Sequence, residues 1–95
     1  MAGVTRNQMD LLRWLGQLAH GEYGTVEYMR RFAWGRAGLD TDVDLVDLIE
    51  DPALDGLIEL ENGQAGTLRN ARVTMSGRTV YLQHDKRQAE IRLGR

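Results

Sequence analysis

Apolar residues recur at helical spacing from near the start of the chain. Met9, Leu11, Leu12, Trp14, Leu15 and Leu18 share one face of a helix expected over about 6–19. Thr5 followed by Gln8 forms a capping box ahead of it, and His20-Gly21 supplies a stop. Thr25 is placed to cap a second helix. There Val26, Met29, Phe32 and Ala33 lie on one side, Glu27, Arg30 and Arg31 point elsewhere, and Gly35 and Gly38 end the run. Asp40, Thr41 and Asp42 can each cap a third helix, and acids in its first turn suit the helix dipole. Steps of 100° place Leu39, Val43, Val46, Ile49 and Ala53 on an apolar side. They place Asp40, Asp44, Asp47, Asp51 and Asp55 in one acidic stripe. Pro52 interrupts this pattern and predicts a kink there, or a short new turn closed by Gly56.

Leu57-Ile58-Glu59-Leu60 has strand character, the stretch 61–70 reads as a polar loop with Gly63 and Gly66, and Arg72-Val73-Thr74 resumes the strand. Two readings stay open for the last quarter. Ser76-Gly77 is a candidate hairpin turn leading into the β-prone Thr79-Val80-Tyr81-Leu82, with Ala89 to Leu93 as a further strand. Alternatively Thr74 caps a fourth helix from Met75 to about Gln88. The expected fold class is mainly α with a small β element (α+β): three or four helices and a two- or three-stranded antiparallel sheet. Ninety-five residues fit one domain over 1–95.

The order helix, helix, acidic helix, Gly56-Leu57-Ile58, polar loop, and Thr74-Met75-Ser76-Gly77-Arg78 resembles the winged helix-turn-helix families of bacterial regulators, including those like MarR and PadR. In those families a Gly-Leu-Ile or Gly-Leu-Val start opens the wing. The wing returns into a Leu-Thr-x-x-Gly-Arg element whose threonine caps the next helix. The resemblance covers roughly Leu11 to Leu82 and implies a winged-helix-like domain with 41–54 at the recognition-helix position. It favours the helical reading after Thr74. The third helix departs from the pattern. A helix entering the major groove offers Arg, Lys, Asn, Gln or Ser to bases and phosphates, and this one offers aspartates.

Charge sharpens that departure. The formal net charge is −2, without the basic surplus common among nucleic-acid binders. No Lys or Arg occurs between Arg36 and Arg69, where nine acidic residues gather. Basic residues lie on either side: Arg6, Arg13, Arg30, Arg31 and Arg36 before the acidic block, Arg69, Arg72, Arg78, Lys86, Arg87, Arg92 and Arg95 after it. The chain has no cysteine, no apolar run of membrane-spanning length and no apolar stretch behind its N-terminal charge. These features point to a reducing, cytoplasmic setting.

No catalytic constellation is visible. His20 and His84 lie far apart, Ser76 is outside any nucleophile elbow, and phosphate-binding glycine motifs are missing. Asp40 to Asp44 resembles the start of a calcium loop, but Leu45 and Asp51 occupy the places of its glycine and distal glutamate. The expectation is a non-enzymatic binding module without metal or cofactor. Its lead partner is a protein with a basic surface, engaged as a DNA mimic would be through Asp40, Asp44, Asp47 and Asp51. The alternative is a transcription regulator binding duplex DNA through Arg69 and Arg72 of the wing, with Arg30, Arg31 and Arg36, as a homodimer formed by the C-terminal segment from Val80 to Leu93. Trp34 either closes the core at the end of the second helix or anchors a partner.

Overall fold

A computed structural model describes residues 3–19, 21–61 and 70–94 of the chain. The elements follow in the order α1 (Arg6–Leu15), α2 (Val26–Gly35), α3 (Asp42–Ile49), a 3₁₀ turn (Pro52–Leu54), β1 (Ile58–Glu61), β2 (Asn70–Val73) and α4 (Met75–Gly94). Mainly helical, with a two-stranded antiparallel sheet, the arrangement is α+β and compatible with a winged-helix-like fold.

Local sequence chemistry sets most helix starts. The Thr5 hydroxyl accepts from the Gln8 N–H at 3.2 Å, while the Gln8 side chain accepts from the Thr5 N–H at 2.8 Å. The Thr25 and Thr41 hydroxyls cap α2 and α3 by accepting from the Tyr28 and Asp44 N–H, without the reciprocal bond. Asp51 caps the 3₁₀ turn with Pro52 at its first position, and Gly56 follows at φ 78°. The proline therefore ends one helix and begins a separate turn. The first helix stops at Leu15 rather than near Ala19. Gly16 lies under the Tyr81 ring of α4, where any Cβ would overlap that ring.

β1 and β2 pair from Ile58↔Val73 to Glu61↔Asn70. Gly24 and Ala71 add a further bridge, with the Ala71 N–H donating to the Gly24 carbonyl at 3.0 Å. This bridge joins the α1–α2 connection to the sheet. The wing loop with Gly63, Gly66 and Arg69 lies outside the described residues, as does His20.

The last quarter is helical. Thr74 Oγ1 accepts from the Gly77 N–H at 3.1 Å and donates to the Gly56 carbonyl at 2.7 Å. The Thr74 N–H donates to the Leu57 carbonyl at 2.9 Å. Gly77 is buried against that same carbonyl, closer than any side chain would permit. Arg78 reaches across to donate to the Gly16 carbonyl at 3.3 Å. The short Thr-x-x-Gly-Arg element thus clamps the start of α4 onto both the β1 approach and α1.

The core joins Leu11, Leu15, Met29, Phe32, Ala33, Leu45, Ile49 and Ala71. A second cluster, Leu12, Leu54 and Tyr81, lies between α1, the 3₁₀ turn and α4. Phe32 fills the core, whereas Trp14 is half-buried. The Trp14 indole N–H donates to the Tyr28 carbonyl at 3.2 Å, and the Tyr28 hydroxyl donates to the Trp14 carbonyl at 2.8 Å.

The orientation of α3 differs from the expected one. Leu45 and Ile49, one turn apart, are buried with Leu48 packed alongside, while Val43 is 68% exposed. Of the expected apolar side, Ile49 is buried and Leu39 packs against the core, but the larger Leu45–Leu48–Ile49 surface takes the inner side and leaves Val43 to solvent.

Candidate functional site

The outward side of α3 carries Val43 and Asp47 one turn apart, flanked by Asp44 and preceded by exposed Asp40. Asp44 is partly engaged at the cap: its N–H donates to Thr41 Oγ1 at 3.1 Å, and the Thr41 hydroxyl donates to its carboxylate at 2.8 Å. Asp40 and Asp47 project into solvent. Asp44 and Asp47 lie to one side of exposed Val43, giving a small apolar spot with an acidic edge. Asp51 does not belong to it. Its carboxylate accepts from the Ala53 N–H at 2.9 Å beyond the end of α3, so its role is to cap the 3₁₀ turn. Asp55 ends that turn.

Asp42, the first residue of α3, has a structural partner twelve residues earlier. Arg30 Nε donates to Oδ1 at 3.0 Å and Nη2 donates to Oδ2 at 2.6 Å. The hydrogen bonds from Arg30 hold the Asp42 carboxyl below the usual carboxylate range, and Asp42 in turn raises the Arg30 guanidinium. Glu27 adds a looser contact to Arg30 at 3.7 Å. The same guanidinium lies 5.7 Å from the centre of the Trp34 ring. Asp42, Arg30 and Trp34 therefore form one brace between α3 and α2. Trp34 is 47% exposed, which excludes its closing the core. Its indole is a large apolar surface held beside a paired cation.

The candidate DNA-contacting arginines are dispersed and mostly engaged. Arg30 is neutralised by Asp42. Arg72 is paired with Glu59, its Nε donating at 2.6 Å, and lies 5.0 Å from the centre of the Tyr23 ring. Glu59 raises the Arg72 guanidinium by that hydrogen bond. Arg36 covers the Trp14 ring at 5.0 Å. Arg31 is exposed on α2, and Arg69 is outside the described residues.

Arg13 forms the other prominent cross-link, donating from Nε to Asp85 of α4 at 3.0 Å while also contacting Asp10. Nothing in the spacing of residues twelve or seventy-two places apart announces such pairs. The depressions are shallow; one of about 320 Å³ is bordered by Arg13, Trp14 and Arg36. Among the described residues, no group of three or more His, Cys, Asp or Glu could hold a metal ion. Among the same residues, no helix is long and apolar enough to cross a membrane. No family model, curated protein or solved structure matches the chain.

Proposed function

We propose that the chain is a non-enzymatic, cytoplasmic, winged-helix-like binding module whose α3 face engages a basic protein surface, as an inhibitor or adaptor of nucleic-acid-handling machinery. The observation that carries this reading is exposed Val43 with Asp44 and Asp47 to one side, at the position a DNA reader would give to its base-contacting helix. An apolar spot edged by charge is the anatomy of a protein interface. Carboxylates at this position repel phosphate but attract a cationic groove, and complementary potential speeds and selects association. Trp34, braced by Arg30, adds an anchor of the residue type that dominates interface energetics. Its ordering in advance lowers the entropy cost of binding.

The test is affinity capture with the natural chain and with the double variant Asp44→Lys/Asp47→Lys. A partner retained by the first and lost by the second, with the thermal midpoint unchanged, is the expected result. Retention of the same partner by the double variant contradicts the reading.

The order of elements favours a second reading, a DNA-binding regulator. Three helices precede a two-stranded wing, and Arg72 stands on its second strand. Binding would then rest on Arg69, Arg72 and Arg31, with Arg30 and Arg36 released from their present contacts. It would weaken steeply with salt.

A further inference from the structure

We propose that the outer edge of β1 takes an extended peptide bearing Lys or Arg as an added antiparallel strand. This proposal is independent of the partner assigned to α3. Backbone groups of successive residues in a strand point to opposite edges. Ala71 spends both its N–H and its carbonyl on Gly24, at 3.0 and 2.6 Å. Its cross-strand neighbour Leu60 therefore takes no bond from β2 and directs its own N–H and carbonyl to the opposite edge. The Thr74 N–H donates to the Leu57 carbonyl, so Ile58, the next residue, also faces away from β2. Among the described residues, the N–H and carbonyl groups of Ile58 and Leu60 have no backbone partner. The sheet is thus closed on the β2 side by Gly24 and open along β1.

The open edge borders a groove. Ile49, Leu54, Ile58 and Leu60 give an apolar lining to a depression of about 350 Å³ between the end of α3, the 3₁₀ turn and β1. Ile58 and Leu60 turn their side chains to this inner face, while Glu59 lies on the outer one. An added strand lays alternate apolar side chains beside Ile58 and Leu60. It sets the intervening ones beside Glu59 and Glu61, where cations fit. Arg72 pairs with Glu59. Among the described residues, exposed Asp55 has no ion pair, and Glu61 has only a neutral hydrogen bond, from Asn70 at 2.8 Å. The edge is therefore acidic at both ends, which selects a cationic peptide. The same charges oppose a second copy: antiparallel pairing with Ile58 opposite Leu60 would set Glu59 against Glu59. Short, charged edge strands avoid self-pairing in this way.

Amide-resolved NMR titration of the full chain with the blocked peptide acetyl-Thr-Lys-Val-Lys-Val-Lys-Thr-amide tests this. Saturable submillimolar binding is expected, with slowed hydrogen exchange at the Ile58 and Leu60 amides. The same peptide N-methylated at both valines lacks the donors for the edge and should not bind. Nor should the peptide with Glu in place of Lys. Asp55→Lys/Glu61→Lys should weaken the lysine peptide by about tenfold, while Asp44→Lys/Asp47→Lys on α3 should leave it unchanged. Circular dichroism of each variant keeps loss of fold distinct from loss of binding. Absence of saturable binding overturns the proposal. So does equal binding of the N-methylated peptide, which would mean charge attraction without strand addition, or a response confined to α3. Protection of Ile58 and Leu60 that grows with protein concentration alone also overturns it, because the occupant would then be a second copy.

Discussion

Replacing Gly77 by alanine sets two opposed effects against each other. In an exposed helix the change is favourable by up to about 1 kcal/mol, because alanine loses less backbone entropy. At Gly77 the added Cβ overlaps the Leu57 carbonyl oxygen and falls 2.7 Å from Val73 Cγ2 and 3.0 Å from the Leu57 carbonyl carbon. Val73 can turn aside, but the Leu57 carbonyl is backbone and holds the Thr74 N–H. Relief requires α4 to lift from the β1 approach, loosening the Thr74 cap and the Arg78 contact with α1. Overpacking of this kind costs roughly 1–3 kcal/mol. Because the overlap is with backbone that cannot turn aside, the upper part of that range applies, leaving a net loss of about 1–2 kcal/mol after the propensity gain. For a domain this size that lowers Tm by about 4–8 °C per kcal/mol. Gly35→Ala is the matched control, since a Cβ there meets nothing within 4 Å; it should be neutral or slightly stabilising. Differential scanning calorimetry of the two variants decides the matter. A Gly77→Ala Tm equal to or above that of the natural chain would refute the clamp.

Leu45→Ala should destabilise by about 2–5 kcal/mol in urea denaturation, because the side chain is fully buried, whereas Val43→Ala should change stability by less than about 0.5 kcal/mol; the reverse order would mean the orientation of α3 is wrong. The Asp85 carboxyl is held below its usual range, chiefly by the hydrogen bond from Arg13 and secondarily by His84. A carboxyl with a depressed folded-state pKa adds stability in full above its unfolded value near ~4, and that stability is lost as pH falls through the folded value. Urea midpoints for Asp85→Asn should therefore fall less between neutral pH and pH ~3 than those of the natural chain, and identical slopes would exclude this contribution. Arg30→Gln should leave the thermal midpoint close to that of the natural chain, since its ion pairs are screened by solvent, yet weaken capture of an α3-dependent partner by freeing Trp34. Undiminished capture would remove Trp34 from the interface.

What the sequence made legible was the chemistry that acts within a few residues. Thr5 with Gln8, Thr25, and Pro52 with Gly56 announce helix ends because each satisfies or removes a backbone donor close by. The Thr74–Gly77 spacing was visible too, but its choice of helix over hairpin depends on the Gly56 and Leu57 carbonyls about twenty residues earlier. The turn of α3 was misplaced because periodicity measures where apolar residues recur, not which of them finds a neighbour. Leu45 meets the core, while Val43 meets solvent. The acidic stripe was partly legible: Asp40, Asp44 and Asp47 face outward, whereas Asp51 caps a turn. Asp42 binds Arg30, a pairing that only the packing of α2 on α3 creates. Trp34 was ambiguous for the same reason.

Fluorescence anisotropy with random-sequence duplex DNA at low salt tests the central claim most directly. The aspartates on α3 and the pairing of Arg30 and Arg72 predict no binding even at the lowest ionic strength. Micromolar binding that collapses as salt rises would contradict the account, because the arginines would then outweigh the acidic face and the regulator reading would stand in its place.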